Sequence, residues 1–205
     1  MRFLLKKFLL LLMMLCLFTG VSCAEGFDLE TLKADADWMM IPHDNGLDFV
    51  YRPVNQPFIG AVDGEGELIV YLDYVEDAQN GMVALRMLVS TALPEELCAD
   101  TLALDVDGTV YTFDVMAVVS EYDRTYFEDY AVYFSPKSLP MLQQIARRKE
   151  DTPLAVTLTG AYVLTGQVIL PGQEVADVFD LYVDLGGRQQ GLSVYEDLYP
   201  VKITK

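Results

Sequence analysis

The chain has 205 residues, with 14 Lys and Arg against 31 Asp and Glu and a formal net charge of −17. That balance excludes nucleic acid as a partner, because such binding rests on neutralising phosphates, and it argues against broad contact with anionic lipid. With 52% hydrophobic residues and a single histidine, the chain can bury a core, but it cannot build a zinc site on histidines.

Met1-Arg2-Phe3-Leu4-Leu5-Lys6-Lys7 is a short basic stretch, and Phe8 to Phe18 is an unbroken apolar run. Small residues follow, Thr19-Gly20-Val21-Ser22-Cys23-Ala24, and then the acidic Glu25. This order is that of a secretory signal peptide over residues 1–24. The stretch Phe8–Cys23 is shorter than the roughly 20 residues of a spanning helix. Two processing outcomes fit. Ser22 and Ala24 provide small residues for cleavage after Ala24. Alternatively, Gly20-Val21-Ser22-Cys23 resembles a permissive bacterial lipobox, which makes Cys23 the lipidation candidate and the membrane a partner through that anchor alone. Either outcome predicts an exported protein, extracellular or anchored on the outer face of the cytoplasmic membrane. Loss of Arg2, Lys6 and Lys7 leaves 11 basic residues against 31 acidic ones, a surface that favours solubility. Residues 25–205 then form a single acidic, strand-rich domain. Of Cys16, Cys23 and Cys98, only Cys98 certainly stays in it. No intrachain disulfide is expected, and Cys98 reads as a small buried hydrophobe.

In chain order, Phe27–Ala36 is a short helix with Asp28 as its cap and Leu29 and Leu32 inward. Leu47–Tyr51 alternates as a strand, and Pro53, Pro57, Gly60 and Asp63-Gly64-Glu65-Gly66 punctuate the stretch after it. Leu68–Val75 and Met82–Thr91 are apolar, β-branched runs around a polar turn at 77–81. Leu102–Val106 and Thr109–Val115 flank Asp107-Gly108, a dipeptide suited to a type I′ turn. Such a turn pairs Val106 with Thr109, Leu104 with Tyr111 and Leu102 with Phe113, which places the large apolar side chains on one face. Tyr130–Phe134 is a strand with Tyr130 and Phe134 inward. A helix at about 136–149 follows, capped by Ser135 or Ser138, with Leu139, Leu142, Ile145 and Ala146 on its inner face. Leu154–Thr159 and Tyr162–Leu170 form a second hairpin across Gly160-Ala161. A further helix at about 173–185 turns Val175, Val178, Phe179, Tyr182 and Leu185 inward and stops at Gly186. Val201–Thr204 closes the chain. The prediction is a mainly β fold, an antiparallel β-sandwich or open barrel of about eight or nine strands with two packed helices.

Leu104-Asp105-Val106-Asp107-Gly108-Thr109 resembles the first motif of haloacid dehalogenase-like phosphatases, D-x-D-G-T. The resemblance implies Asp105 as nucleophile, Asp107 as general acid, magnesium beside them, and a place at the end of a parallel strand. The pairing arithmetic reads the same residues as a hairpin turn, and no cofactor or metal is expected on that reading. His43 sits in a turn, Pro42-His43-Asp44-Asn45-Gly46, with no nucleophile elbow in the chain. Two acidic groups, Asp63, Glu65, Glu67 and Glu121, Asp123, Glu128, Asp129, lack calcium-loop spacing and read as solvated loops. Arg147-Arg148-Lys149 offsets a helix C-terminal dipole. Tyr122, Tyr126 and Phe127 are the candidate binding surface, since exposed rings among acids can stack on a sugar and hydrogen-bond its rim. The function expected is that of a non-enzymatic envelope or extracellular binding module, with an envelope protein or a glycan as partner. A carboxylate hydrolase is the alternative.

Overall fold

The computed structural model describes residues 29–42, 49–54, 57–77, 82–184 and 201–205. The signal segment with Cys16 and Cys23, the Asp28 cap, His43, the 78–81 turn, and Leu185 with Gly186 lie outside these residues. In chain order the elements are α1 (Leu29–Ala34), β1 (Trp38–Pro42), β2 (Phe49–Pro53), β3 (Phe58–Val62), β4 (Glu67–Asp77), β5 (Met82–Leu93), β6 (Thr101–Val106) and β7 (Thr109–Asp114). After these come β8 (Ala117–Tyr122), β9 (Thr125–Tyr133), α2 (Leu139–Ala146), β10 (Leu154–Thr159), β11 (Val163–Val168), α3 (Gly172–Asp184) and β12 (Val201–Thr204).

Every described strand pair is antiparallel. One curled sheet runs β12-β7-β6-β10-β11-β3-β4-β5-β9-β8, with β2 beside β4 and β1 beside β2. Period two sorts its side chains. Leu68, Val70, Leu72 and Tyr74 of β4, Leu85, Met87 and Val89 of β5, and Tyr130 and Val132 of β9 are buried on the inner face. Leu139, Leu142 and Ile145 of α2 and Val175, Val178 and Phe179 of α3 join the same core cluster. Burying each of these large side chains stabilises the fold by about 1.5–3 kcal/mol. The mainly β, antiparallel architecture with two packed helices is the one the sequence predicts.

The β6–β7 hairpin keeps the predicted register, Val106 opposite Thr109, Leu104 opposite Tyr111 and Leu102 opposite Phe113. Asp107 and Gly108 turn it with φ of 52° and 83°, as a type I′ turn requires. The β10–β11 link is three residues and not two, since Thr159 faces Val163. There the Gly160 N–H donates to the Tyr162 carbonyl at 2.9 Å. α2 is shorter than predicted. Ser138 occupies the cap position without bonding the helix, because its hydroxyl instead accepts the Ser135 N–H at 2.8 Å.

β1, β3 and β8 go beyond the pattern reading, and the sheet has 12 strands among the described residues. β3 contains Gly60 and follows Pro57, two residues that read as loop signals. β8 is almost entirely exposed, so it shows little alternation.

Tyr74 links layers. Its ring lies 5.2 Å from Trp38 and 6.5 Å from Tyr182, and its hydroxyl donates to the Val178 carbonyl of α3 at 2.5 Å. Burial pushes the Tyr74 phenol well above its ordinary value of 10.0. Burial, with the hydrogen bond to Glu128 second, raises Tyr130 likewise. A folded-state pKa above the unfolded one stabilises the fold fully below pH about 10, and that stability is lost as the pH rises further. The urea midpoint is therefore expected to be level toward pH 10 and to fall beyond it. The ultraviolet step of these phenols should coincide with loss of the native dichroism. Ionisation of all tyrosines in a still-native protein would contradict the burial.

Candidate functional site

On its partner side, β4 changes neighbours midway. Residues 68–70 pair with β3 and residues 74–76 with β2, leaving 71–73 between them. Continuing the β2 register brings Arg52 opposite Asp73. On the other side of β4, Asp73 is opposite Arg86 of β5. All three side chains project to the outer face, away from the core.

There they form a buried ion cluster. Arg86 grips Asp73 with both prongs, Nε to Oδ1 at 2.8 Å and Nη2 to Oδ2 at 2.8 Å. Arg52 adds Nη2 to Oδ2 at 3.0 Å and Nε to Oδ2 at 3.3 Å, and its guanidinium stacks 4.0 Å over the Tyr71 ring. Asp73 is 0% exposed and Arg86 5%. Desolvation alone would lower Arg86; Asp73 and the Tyr133 phenol, which hydrogen-bonds it, overcome this and raise it. The guanidinium is thus permanently charged.

Over this cluster opens a cleft of about 440 Å³. Ile41, Pro42 and Val50 form one wall, Met116 and Val118 the other, and Leu88 and Ala131 pave the floor beside Arg52, Arg86, Asp129 and Tyr133. Asp129 accepts the Ser90 hydroxyl at 2.5 Å. Two guanidiniums offer more N–H groups than Asp73 can accept. Among the described residues, the hydrogen bonds of Arg52 run to Asp73 alone. The site is mostly apolar with a few convergent polar groups and a surplus of donors, which suits a ligand carrying acceptor oxygens.

Sequence reasoning did not single out Asp73, Arg52 or Arg86. A signal existed. Asp73 and Arg86 each interrupt an otherwise apolar run, and the β4–β5 hairpin sets them opposite each other.

The residues that the sequence did single out are dispersed. Tyr122, 77% exposed, and Phe127, 43% exposed, lie on the outer face of the β8–β9 hairpin, diagonal across the register. Tyr126 projects to the opposite face, so the aromatic trio is not one surface. Asp105 and Asp107 sit on a hairpin whose flanking strands are antiparallel. The parallel strand end implied by the phosphatase resemblance is not there. Asp105 accepts the Gly108 N–H at 2.8 Å, and Asp107 pairs with Arg148 at 3.3 Å; both carboxylates serve the turn. Arg148 therefore does more than offset a dipole.

Cys98 is exposed, contrary to expectation. Its thiol donates to Glu96 at 3.1 Å, and that hydrogen bond is the main force raising its pKa, which makes it a poor nucleophile. Nor are Glu121, Glu128 and Asp129 loop acids. They lie on β8 and β9, Asp129 lines the cleft, and Glu128 is 0% exposed. Among the described residues no three His, Cys, Asp or Glu side chains gather closely enough to hold a metal. Comparison with protein-family models, curated proteins and solved structures finds no match for this chain.

Proposed function

We propose that this chain is an exported binding domain of a bacterial cell envelope whose outer-face cleft takes a ligand with a carboxylate-type head and an apolar body. One observation carries the reading: a guanidinium pair sits under an apolar-walled cleft in a chain of net charge −17. A buried ion cluster is weak evidence for stability, since apolar residues of similar volume often do as well or better. Retaining one on the outer face of a sheet points to use. The signal-like N-terminus supports export, and Cys23 offers the anchor to a membrane surface. A hydrolase built on Asp105 and Asp107 has no comparable observation in its favour.

The test is an NMR titration of the labelled protein with a series of ω-phenyl carboxylates against the matching neutral amides. The acids should shift the amide signals of Arg86, Leu88 and Ala131 together, with dissociation constants near or below about 1 mM, a binding energy of about 4 kcal/mol. Val118→Asp adds a carboxylate to one wall and should abolish the shifts while leaving the rest of the spectrum native. Equal shifts from acid and amide, or shifts scattered over the surface, would defeat the reading.

A further inference from the structure

Among the described residues, β8 is the last strand of the sheet and pairs with β9 alone. Asp123 and Arg124 join the two with φ of 49° and 63°, the type I′ geometry. In such a hairpin the residues flanking the turn exchange both hydrogen bonds, and bonding then alternates along the strand. Tyr122, Ser120 and Val118 thus turn their backbone groups to β9. Ala117, Val119 and Glu121 turn theirs to the free edge.

Free edges are normally guarded by charged side chains, Lys above all, by Pro or by a bulge. β12, at the other end of the sheet, carries Lys202, and β1 ends in Pro42. β8 reads Ala-Val-Val-Ser-Glu-Tyr; Glu121 is its one charged side chain, and it has no Lys, no Pro and no bulge in its register with β9. It is flanked by apolar side chains held out in solvent: Met116 is 81% exposed, Val118 60% and Tyr122 77%.

We infer that this edge takes a second copy of the same chain, two β8 strands pairing antiparallel about a two-fold axis at Val119. The strand is its own complement in that register. Val119 faces its twin and Ala117 faces Glu121 as hydrogen-bonded pairs. On the outer face Val118 meets Ser120, and Met116 meets Tyr122, a sulfur–aromatic contact. The two Glu121 carboxylates stand four rows apart, about 13 Å along the strands, beyond the screening length of about 8 Å at physiological salt.

Neighbouring registers are worse. A one-residue slip sets edge-facing groups against groups that face away. A two-residue slip in one direction brings the Glu121 pair within two rows of each other. In the other direction it recruits Val115, whose N–H is already donated to the Asp100 carbonyl at 2.9 Å. Met116 also lines the cleft, so Tyr122 of the second copy would extend that wall. The pairing does not depend on the cleft holding a ligand.

A six-residue strand pair falls below the about 1,200 Å² of standard interfaces, so the dimer is transient. Sedimentation equilibrium of the exported, processed chain should show monomer at about 10 µM and a mostly dimeric sample at about 1 mM. Added salt should strengthen the dimer by screening the net negative charge of each copy. Val119→Pro removes an edge N–H that β9 does not use and should weaken association at least tenfold with native dichroism intact.

Register is read separately in a Cys98→Ser background. Under mild oxidation, a mixture of Val118→Cys and Ser120→Cys chains should form a disulfide-linked heterodimer, while neither variant links with itself. Three results would overturn the proposal: a sample monomeric at the highest concentration, self-linking of either single variant, or an unchanged association constant in Val119→Pro. A monomer whose Ala117, Val119 and Glu121 amides resist hydrogen exchange would also overturn it, since another part of the chain would then cover the edge.

Discussion

Replacing Arg86 with Met should lower the unfolding free energy by about 3–5 kcal/mol, the cost of leaving one partner of a buried pair without the other. Asp73 is 0% exposed, and its carboxylate holds both guanidiniums. Once Arg86 is gone, Arg52 alone must neutralise it, through 3.0 and 3.3 Å contacts to a single oxygen. Arg52→Met should cost only about 1 kcal/mol, because the better, bidentate grip survives. The double variant Asp73→Leu with Arg86→Met should recover most of the loss, since an apolar pair pays no desolvation. Arg52, 17% exposed along its side chain, can then turn its head to water. Urea unfolding measures all three. A loss below about 1 kcal/mol for Arg86→Met would show that the cluster is solvated and not buried. The double variant also separates structure from use. If it folds stably and no longer prefers carboxylates to amides, the ion cluster serves the cleft. If it keeps that preference, the cluster only staples β2, β4 and β5 together.

How much of this was legible in the sequence depends on what each element hides from water. The β6–β7 hairpin was legible to the register, because Asp-Gly demands positive φ and Leu102, Leu104, Tyr111 and Phe113 alternate against polar neighbours. The β8–β9 hairpin was not. Its turn is Asp123-Arg124, where positive φ is adopted by two residues that do not announce it, and the exposed β8 carries apolar side chains on its solvent side. β1 and β3 were hidden by Pro and Gly, which are turn signals only where no neighbouring strand needs a small residue or a missing N–H. The cleft was hidden for a different reason. Its charged floor combines residues from β2, β4, β5 and β9, and the partner switch of β4 is a tertiary fact. The two interrupting charges, Asp73 and Arg86, were visible, but their meaning rests on a hairpin whose turn length must be known first. Cys98 was misread because a lone cysteine with no cation beside it is usually a small buried hydrophobe, while the backbone there takes φ of 46° and the thiol is exposed.

That backbone is held by the second large determinant, and Glu128→Ala should cost about 3–5 kcal/mol. Glu128 is fully buried on β9, and its carboxylate accepts the N–H of Leu97 at 2.6 Å and of Cys98 at 2.9 Å. It also accepts the Tyr130 hydroxyl, and the Ala99 N–H donates to that same hydroxyl at 3.2 Å. One side chain thereby satisfies a stretch of irregular backbone between β5 and β6 that no strand could pair. Truncation leaves the Leu97 N–H and the Tyr130 hydroxyl buried without an acceptor, each worth about 1–3 kcal/mol. Glu128→Gln keeps an acceptor for one of these donors and should lose about half as much. The effect should reach β10–β11, because the Ala161 N–H donates to the Leu97 carbonyl at 2.8 Å and Gly160 packs against the same turn. A Cβ on Gly160 would stand 2.3 Å from the Leu97 carbonyl oxygen and 2.7 Å from the Ala99 Cα, so the turn fits only where both partners keep their places. Denaturant unfolding gives the magnitude, and hydrogen exchange gives the location. In Glu128→Ala the amides of Leu97, Cys98 and Ala161 should exchange faster than those of β4 and β5. Uniform acceleration across the sheet would mean that the carboxylate supports the whole fold and not this turn. No change at Leu97 would mean that water replaces it.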